Sequence, residues 1–124
     1  IIGILTGNNP KWADNAQVLI ISVLKKKHDY KDRPNGKALH DIGAANALLA
    51  VQAAEMGLQV HQMGGFDKDK ANELLELDIE NFEPVTCIAV GFPGDHKLLP
   101  SELQEREIQP RIRKEKEEFV FKLK

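Results

Sequence analysis

Residues 38–56 constrain this chain more than any other stretch. Ala44, Ala45, Ala47, Leu48, Leu49, Ala50, Val51, Ala53, Ala54 and Met56 leave few polar positions, mainly Asp41, Asn46, Gln52 and Glu55. This pattern predicts a long helix, and a helix apolar nearly all round is buried nearly all round. The chain has 124 residues, the length of one domain spanning 1–124. One small domain seldom supplies that much cover, so a subunit interface is expected. Gly57 is placed as the left-handed residue past the helix end, with Leu58 as the apolar contact of a Schellman stop.

Two strands frame this helix. Val18 to Leu24 is a β-branched and aliphatic run without alternation, which predicts a strand buried on both faces. Val85 to Val90 predicts a second, and Val60 to Met63 a short third. Residues 6 to 17 are polar and rich in turn formers, Lys25 to Lys37 is a charged loop, and Asn81 to Pro84 is a connector. Asp67 is a good N-cap for a helix of about three turns over Lys68 to Leu77, with Leu74 and Leu75 on its buried side. Ser101 is a candidate cap for a short helix over Pro100 to Glu107, which Pro110 ends. Phe119-Val120-Phe121 in the charged tail predicts a strand or an arm packed on another subunit. The order β, α, β, α, β, tail is shared with simple doubly wound sheets, so periodicity alone leaves the fold open.

Composition removes several function classes. Hydrophobic residues make up 42% and charged residues 29%, which suffices for a core. The net charge of −2 gives no basic field for nucleic acid or an anionic membrane surface. The longest apolar run, Val18 to Leu24, ends in three lysines and is too short to cross a bilayer. The single cysteine, Cys87, forbids an internal disulfide and fits a reducing compartment, so a cytoplasmic protein is expected.

No protein nucleophile stands out. Ser22 and Ser101 lack a G-x-S-x-G elbow. Cys87 lies mid-strand among apolar neighbours and is expected to be a core residue. His28, His40, His61 and His96 show no metal-ligand spacing, so no metal is expected. His40 and Asp41 are adjacent, and adjacent residues on a helix do not face each other.

Two other features could hold a ligand. Gly64-Gly65 lies between a strand and the Asp67 cap, where backbone can approach a ligand closely; the alternative is a tight strand-to-helix turn. Arg111 and Arg113 flank one residue. In an extended segment they point the same way and could grip a phosphate; the alternative is a solvated charged tail.

The ordered set resembles the FMN-dependent nitroreductase family. It comprises the Ala-rich helix, Gln62-Met63-Gly64-Gly65-Phe66-Asp67, the strand ending Val90-Gly91-Phe92-Pro93-Gly94-Asp95, and Pro110-Arg111-Ile112-Arg113. Gly7-Asn8 and Trp12-Ala13 add to it. The resemblance implies an α+β fold, a central sheet flanked by helices, with the long helix buried at a homodimer interface. It implies FMN bound there, with Gln62, Met63, Gly64 and Gly65 beside the ring and Arg111 and Arg113 on the phosphate. It further implies that NAD(P)H reduces the flavin, which passes electrons to a nitroaromatic, quinone or similar small acceptor. The flavin carries that chemistry, so no catalytic side chain is expected.

The resemblance also has departures. The family's Arg-rich, Ser-containing phosphate-gripping segment belongs ahead of the part matching Ile1, so an N-terminally incomplete domain is expected. Gly64 stands where some members carry an acidic residue. A non-catalytic dimerising or flavin-binding fragment of the same fold is the alternative function.

Overall fold

A three-stranded sheet organises the chain, and its middle strand is the last in sequence. The computed structural model describes residues 1–30 and 32–122; Lys31, Leu123 and Lys124, part of the expected charged loop and tail, lie outside the described residues. The strands are β1 (Val18–Lys25), β2 (Gln59–Met63) and β3 (Phe82–Gly91), in the order β1-β3-β2 with both pairings antiparallel. The helices are α1 (Pro10–Ala13), α2 (Ala38–Glu55), α3 (Lys68–Leu74) and α4 (Ser101–Glu107). The chain divides into two compact units, Ile1–Gly94 and Asp95–Lys124.

In the first unit, strand alternation assigns the two faces of the sheet. Ile21, Cys87 and Met63 are register partners on one face, and Leu19, Ala89 and His61 are the next row. That face closes over the main core, where Ile4, Leu5, Ala13, Phe66 and Ala71 meet Met63, Cys87 and Ala89. Ile4 and Leu5, near the start of the chain, are thus packed inside its own fold. The other face carries Ser22, Thr86, Ile20, Ile88 and Gln62, and α2 packs over it.

The long helix is covered by its own chain on one side only. Ala38, Asn46 and Ala53 are buried, and Ile42, Leu49 and Ala50 are half-buried. These positions recur every three or four residues, as one stripe against the sheet must. The opposite stripe is not buried within the chain: Leu48 is 69% and Val51 68% exposed. The helix ends as expected. Gly57 has φ +74°, the Leu58 amide donates to the Ala53 carbonyl at 2.8 Å and the Gly57 amide to Ala54 at 3.0 Å, the two bonds of a Schellman motif.

Other elements shift for identifiable reasons. β1 is an edge strand and is mostly half-buried rather than covered on both faces. β3 begins at Phe82, so Phe82, Glu83 and Pro84 belong to a strand and not a connector. Pro84 is tolerated there because β2 reaches only as far as Cys87, leaving that end of β3 paired with β1 alone. A bulge between Ser22 and Val23 moves the partner from Thr86 to Pro84.

Asp67 does cap α3, accepting the Asp69 and Lys70 amides. The helix stops at Leu74, though, because Glu76 takes a left-handed φ of 49°. The Leu77 amide then bonds Asn72 at 3.0 Å and the Glu76 amide bonds Glu73 at 3.2 Å. Ala71 is the buried residue of α3, while Leu74 and Leu75 are exposed. Residues 10–13, expected only as turn, form a helical turn with Pro10 at its first position.

In the second unit, Ser101 is the first residue of α4 and makes no capping bond. The Gln104 side chain instead donates to the Lys97 and Leu99 carbonyls at 3.1 and 2.8 Å. Glu115 and Glu118 form a capping box around a 3₁₀ turn at Lys116–Glu118. Phe119, Val120 and Phe121 are exposed and form no strand.

Candidate functional site

β2 delivers the chain to Gly64 with its side chains already sorted. Met63 is buried opposite Cys87. Gln62, one residue earlier, lies on the opposite face, where its Nε2 donates to the Asn46 carbonyl at 3.4 Å.

The two glycines that follow have different roles. The Gly65 carbonyl accepts from the Thr6 amide at 2.9 Å and from Asn9 Nδ2 at 3.0 Å. A β-carbon on Gly65 would lie 2.8 Å from Asn9 Nδ2 and 3.3 Å from Thr6 Oγ1. Gly65 is therefore the close-packed turn residue. Gly64 is exposed, and a β-carbon there would meet nothing within 4 Å. Its carbonyl accepts from the Phe66 amide at 3.1 Å, and the space beside its α-carbon is clear. The tight-turn alternative describes Gly65, and Gly64 is the glycine left exposed.

The N-terminal segment fixes this loop further. Leu5 pairs with Phe66 in an antiparallel bridge, and the Asp67 amide donates to the Ile4 carbonyl at 2.8 Å. Thr6 and Asn9 escaped the sequence reasoning because no local pattern links them to a loop 56 residues on. A second long-range latch lies at the end of β3. The Phe92 amide donates to Gln17 Oε1 at 3.0 Å, and the Gln17 side chain fills the space that a β-carbon on Gly91 would need. This explains the glycine in Val90-Gly91-Phe92.

Arg111 and Arg113 belong to the second unit. Both are exposed in a stretch without regular structure, and Arg113 Nη1 donates to the Ile112 carbonyl at 3.0 Å. Gln62, Met63, Gly64 and Gly65 belong to the first unit and form one continuous strand-to-loop segment.

The remaining reactive side chains are accounted for. Cys87 is a free, fully buried thiol, and burial pushes its pKa up, away from thiolate chemistry. His40 and Asp41 do meet, contrary to expectation, with Nδ1 and Oδ1 3.2 Å apart. Both side chains are exposed at the start of α2, where the contact is open to water. Among the described residues no cluster of three or more His, Cys, Asp or Glu is placed to hold a metal, and no helix is long and apolar enough to cross a membrane.

The profile of the nitroreductase family matches residues 4–92, from the loop-fixing N-terminal segment to the Gly91 latch. The chain belongs to the nitroreductase family. A relative from Mycolicibacterium smegmatis, an uncharacterized 15.4 kDa protein in the ask 5′ region, is 31% identical over 121 residues, covering 98% of this chain and 79% of the relative. Among solved structures, an oxidoreductase containing FMN is 32% identical with a TM-score of 0.86. The match covers 97% of this chain, which spans 61% of that protein's length. A nitroreductase family protein from Streptococcus pneumoniae TIGR4 shares the fold at a TM-score of 0.71 and 18% identity, over 98% of this chain and 72% of that one. The nitroreductase-like α+β fold expected from sequence is therefore the fold the chain has.

Proposed function

We propose that this nitroreductase family member is an FMN-dependent oxidoreductase. It transfers electrons from NAD(P)H to a nitroaromatic, quinone or similar small acceptor, and works as a homodimer. The observation that carries the proposal is the exposed Gly64, held at the end of β2 by the clamped Gly65. It is joined by the 32% identity to an oxidoreductase containing FMN.

The residues present fit FMN in their chemistry. Gly64 leaves room for the polar edge of a flat ring to approach the main chain, where any side chain would stand in the way. Gln62 adds a side-chain amide able to donate and accept. Arg111 and Arg113 supply guanidinium forks suited to a phosphate dianion. FMN, when bound, supplies the electron-transfer chemistry, so no protein nucleophile is required. The protein's part is to bind, orient and exclude water. The stiff anchoring of Gly65 through Thr6 and Asn9 keeps the neighbouring Gly64 in place without ordering a loop at the moment of binding. The exposed apolar stripe of α2, with Leu48 and Val51 at its centre, supports the dimer.

The test starts with flavin titration of the purified protein. Saturable FMN binding is expected, followed by bleaching of the flavin band with NAD(P)H and its return on adding a nitroaromatic. Replacing Arg111 and Arg113 together by alanine should weaken FMN binding at least tenfold, since a hydrogen bond to a charged group contributes about 1.5–3 kcal/mol. A protein that binds no FMN would support the alternative of a dimerising module without redox chemistry.

A further inference from the structure

One buried polar side chain interrupts the sheet-facing stripe of α2. Asn46 is only 7% exposed, on a helix whose other sheet-facing residues are Ala38, Ile42, Leu49, Ala50 and Ala53. Burying an amide among apolar groups is costly unless its hydrogen bonds are made. The Asn46 side chain bonds β1, and two further bonds, one from Ser22 and one to the Asn46 main chain, reach β3 and β2. Asn46 Nδ2 donates to Ser22 Oγ on β1 at 3.2 Å. Ser22 Oγ donates to the Thr86 carbonyl on β3 at 3.3 Å. The Asn46 main-chain carbonyl accepts from Gln62 Nε2 on β2 at 3.4 Å.

The direction of this chain is fixed by proton count. Ser22 has one hydroxyl proton and gives it to Thr86, so its oxygen faces Asn46 as an acceptor. The nitrogen of the Asn46 amide must then point at Ser22. An aspartate or a leucine at position 46 cannot take this place in the chain.

We propose that Asn46 is a positioning residue for the Gln62–Gly65 segment. By bonding Ser22 the Asn46 side chain pins α2 to the sheet, and the main-chain carbonyl of the helix so fixed holds the Gln62 side-chain amide in one orientation two residues ahead of Gly64. This assignment rests on the FMN reading above. Gln62 is the group that meets the cofactor, and Asn46 and Ser22 act through it.

The test is a double-mutant cycle read by the bound flavin of the full-length protein. Asn46→Leu and Gln62→Met are made singly and together, and FMN affinity and the visible absorption band are measured. Each single variant should weaken FMN binding about fivefold, the equivalent of one hydrogen bond, and shift the band in the same direction. The double variant should lose no more than the larger single loss. Ser22→Ala, a smaller perturbation, should reproduce the Asn46→Leu shift if Asn46→Leu fails to fold. Losses that add in full would overturn the proposal. So would Asn46 and Ser22 variants that lower the melting temperature yet leave flavin affinity and spectrum unchanged. If the unmodified protein binds no FMN, the FMN reading itself fails and takes this assignment with it.

Discussion

Asn9 Nδ2 donates to the Gly65 carbonyl at 3.0 Å, and the same nitrogen lies 2.8 Å from where a β-carbon on Gly65 would be placed. A residue of the N-terminal turn thus favours a glycine 56 positions later. Gly65→Ala should push the Asn9 side chain aside and break its bond. The expected cost is about 1–3 kcal/mol, combining a lost hydrogen bond with crowding. Urea denaturation should show a lower midpoint with an unchanged slope. Gly64→Ala, in open space, should leave stability nearly unchanged, and equal effects at both glycines would contradict the division of roles.

Glu76 carries the left-handed turn that ends α3, at φ 49°. A side chain in that region costs about 1–2 kcal/mol, whereas glycine adopts it freely but loses more entropy on folding. Glu76→Gly should therefore stabilise the protein by about 0.5–1 kcal/mol, visible as a higher melting temperature. A destabilised variant would mean that the Glu76 side chain makes a compensating contact.

Legibility followed the range of the interactions. The α2 span, its Schellman stop at Gly57 and the Asp67 cap were readable because each depends on residues within one or two turns. The early stop of α3 was hidden because Glu76 is not a residue that signals a left-handed turn. Pro84 read as the end of a connector, and only the sheet order, with β2 stopping at Cys87, makes it acceptable inside a strand. For the site, Gly64-Gly65 was visible as a pair, but the difference between them depends on Thr6 and Asn9. The apolar all-round pattern of α2 was legible as composition. That one stripe meets the sheet and the other lies open could come only from the fold.

Lys68 at the start of α3 pairs with Glu83 on β3 at 2.7 Å. The Lys68 hydrogen bond is the main cause that holds the Glu83 carboxyl below its ordinary value of 4.5. A carboxyl lowered in the folded state stabilises the fold fully above its unfolded pKa, and the contribution disappears as pH falls through the folded value. Both side chains are substantially exposed, so solvent screening limits the coupling to about 0.2–1 kcal/mol. A Lys68→Met, Glu83→Gln cycle measured by denaturation should show this coupling at pH 7 and lose it on acidification below pH 4.5. Coupling that persists undiminished at pH 2–3 would refute the pairing.

Leu48 and Val51 lie on the exposed stripe of α2, at 69% and 68% exposure. In a monomer, Leu48→Glu or Val51→Glu would improve the surface, and stability would change by less than about 0.5 kcal/mol. In a homodimer joined through α2, the same change buries an unpaired charge, and the protein avoids that cost by dissociating. We expect each variant to elute as a monomer in size-exclusion chromatography while the unmodified protein elutes as a dimer. The monomeric variants should also show a melting temperature that no longer depends on protein concentration. Ala53→Glu is the internal contrast. Ala53 faces the sheet and is buried, so a charge there should unfold the chain at any concentration. If the Leu48 and Val51 variants remain dimers with unchanged concentration dependence, α2 is not the interface, and the dimer must be sought on another surface.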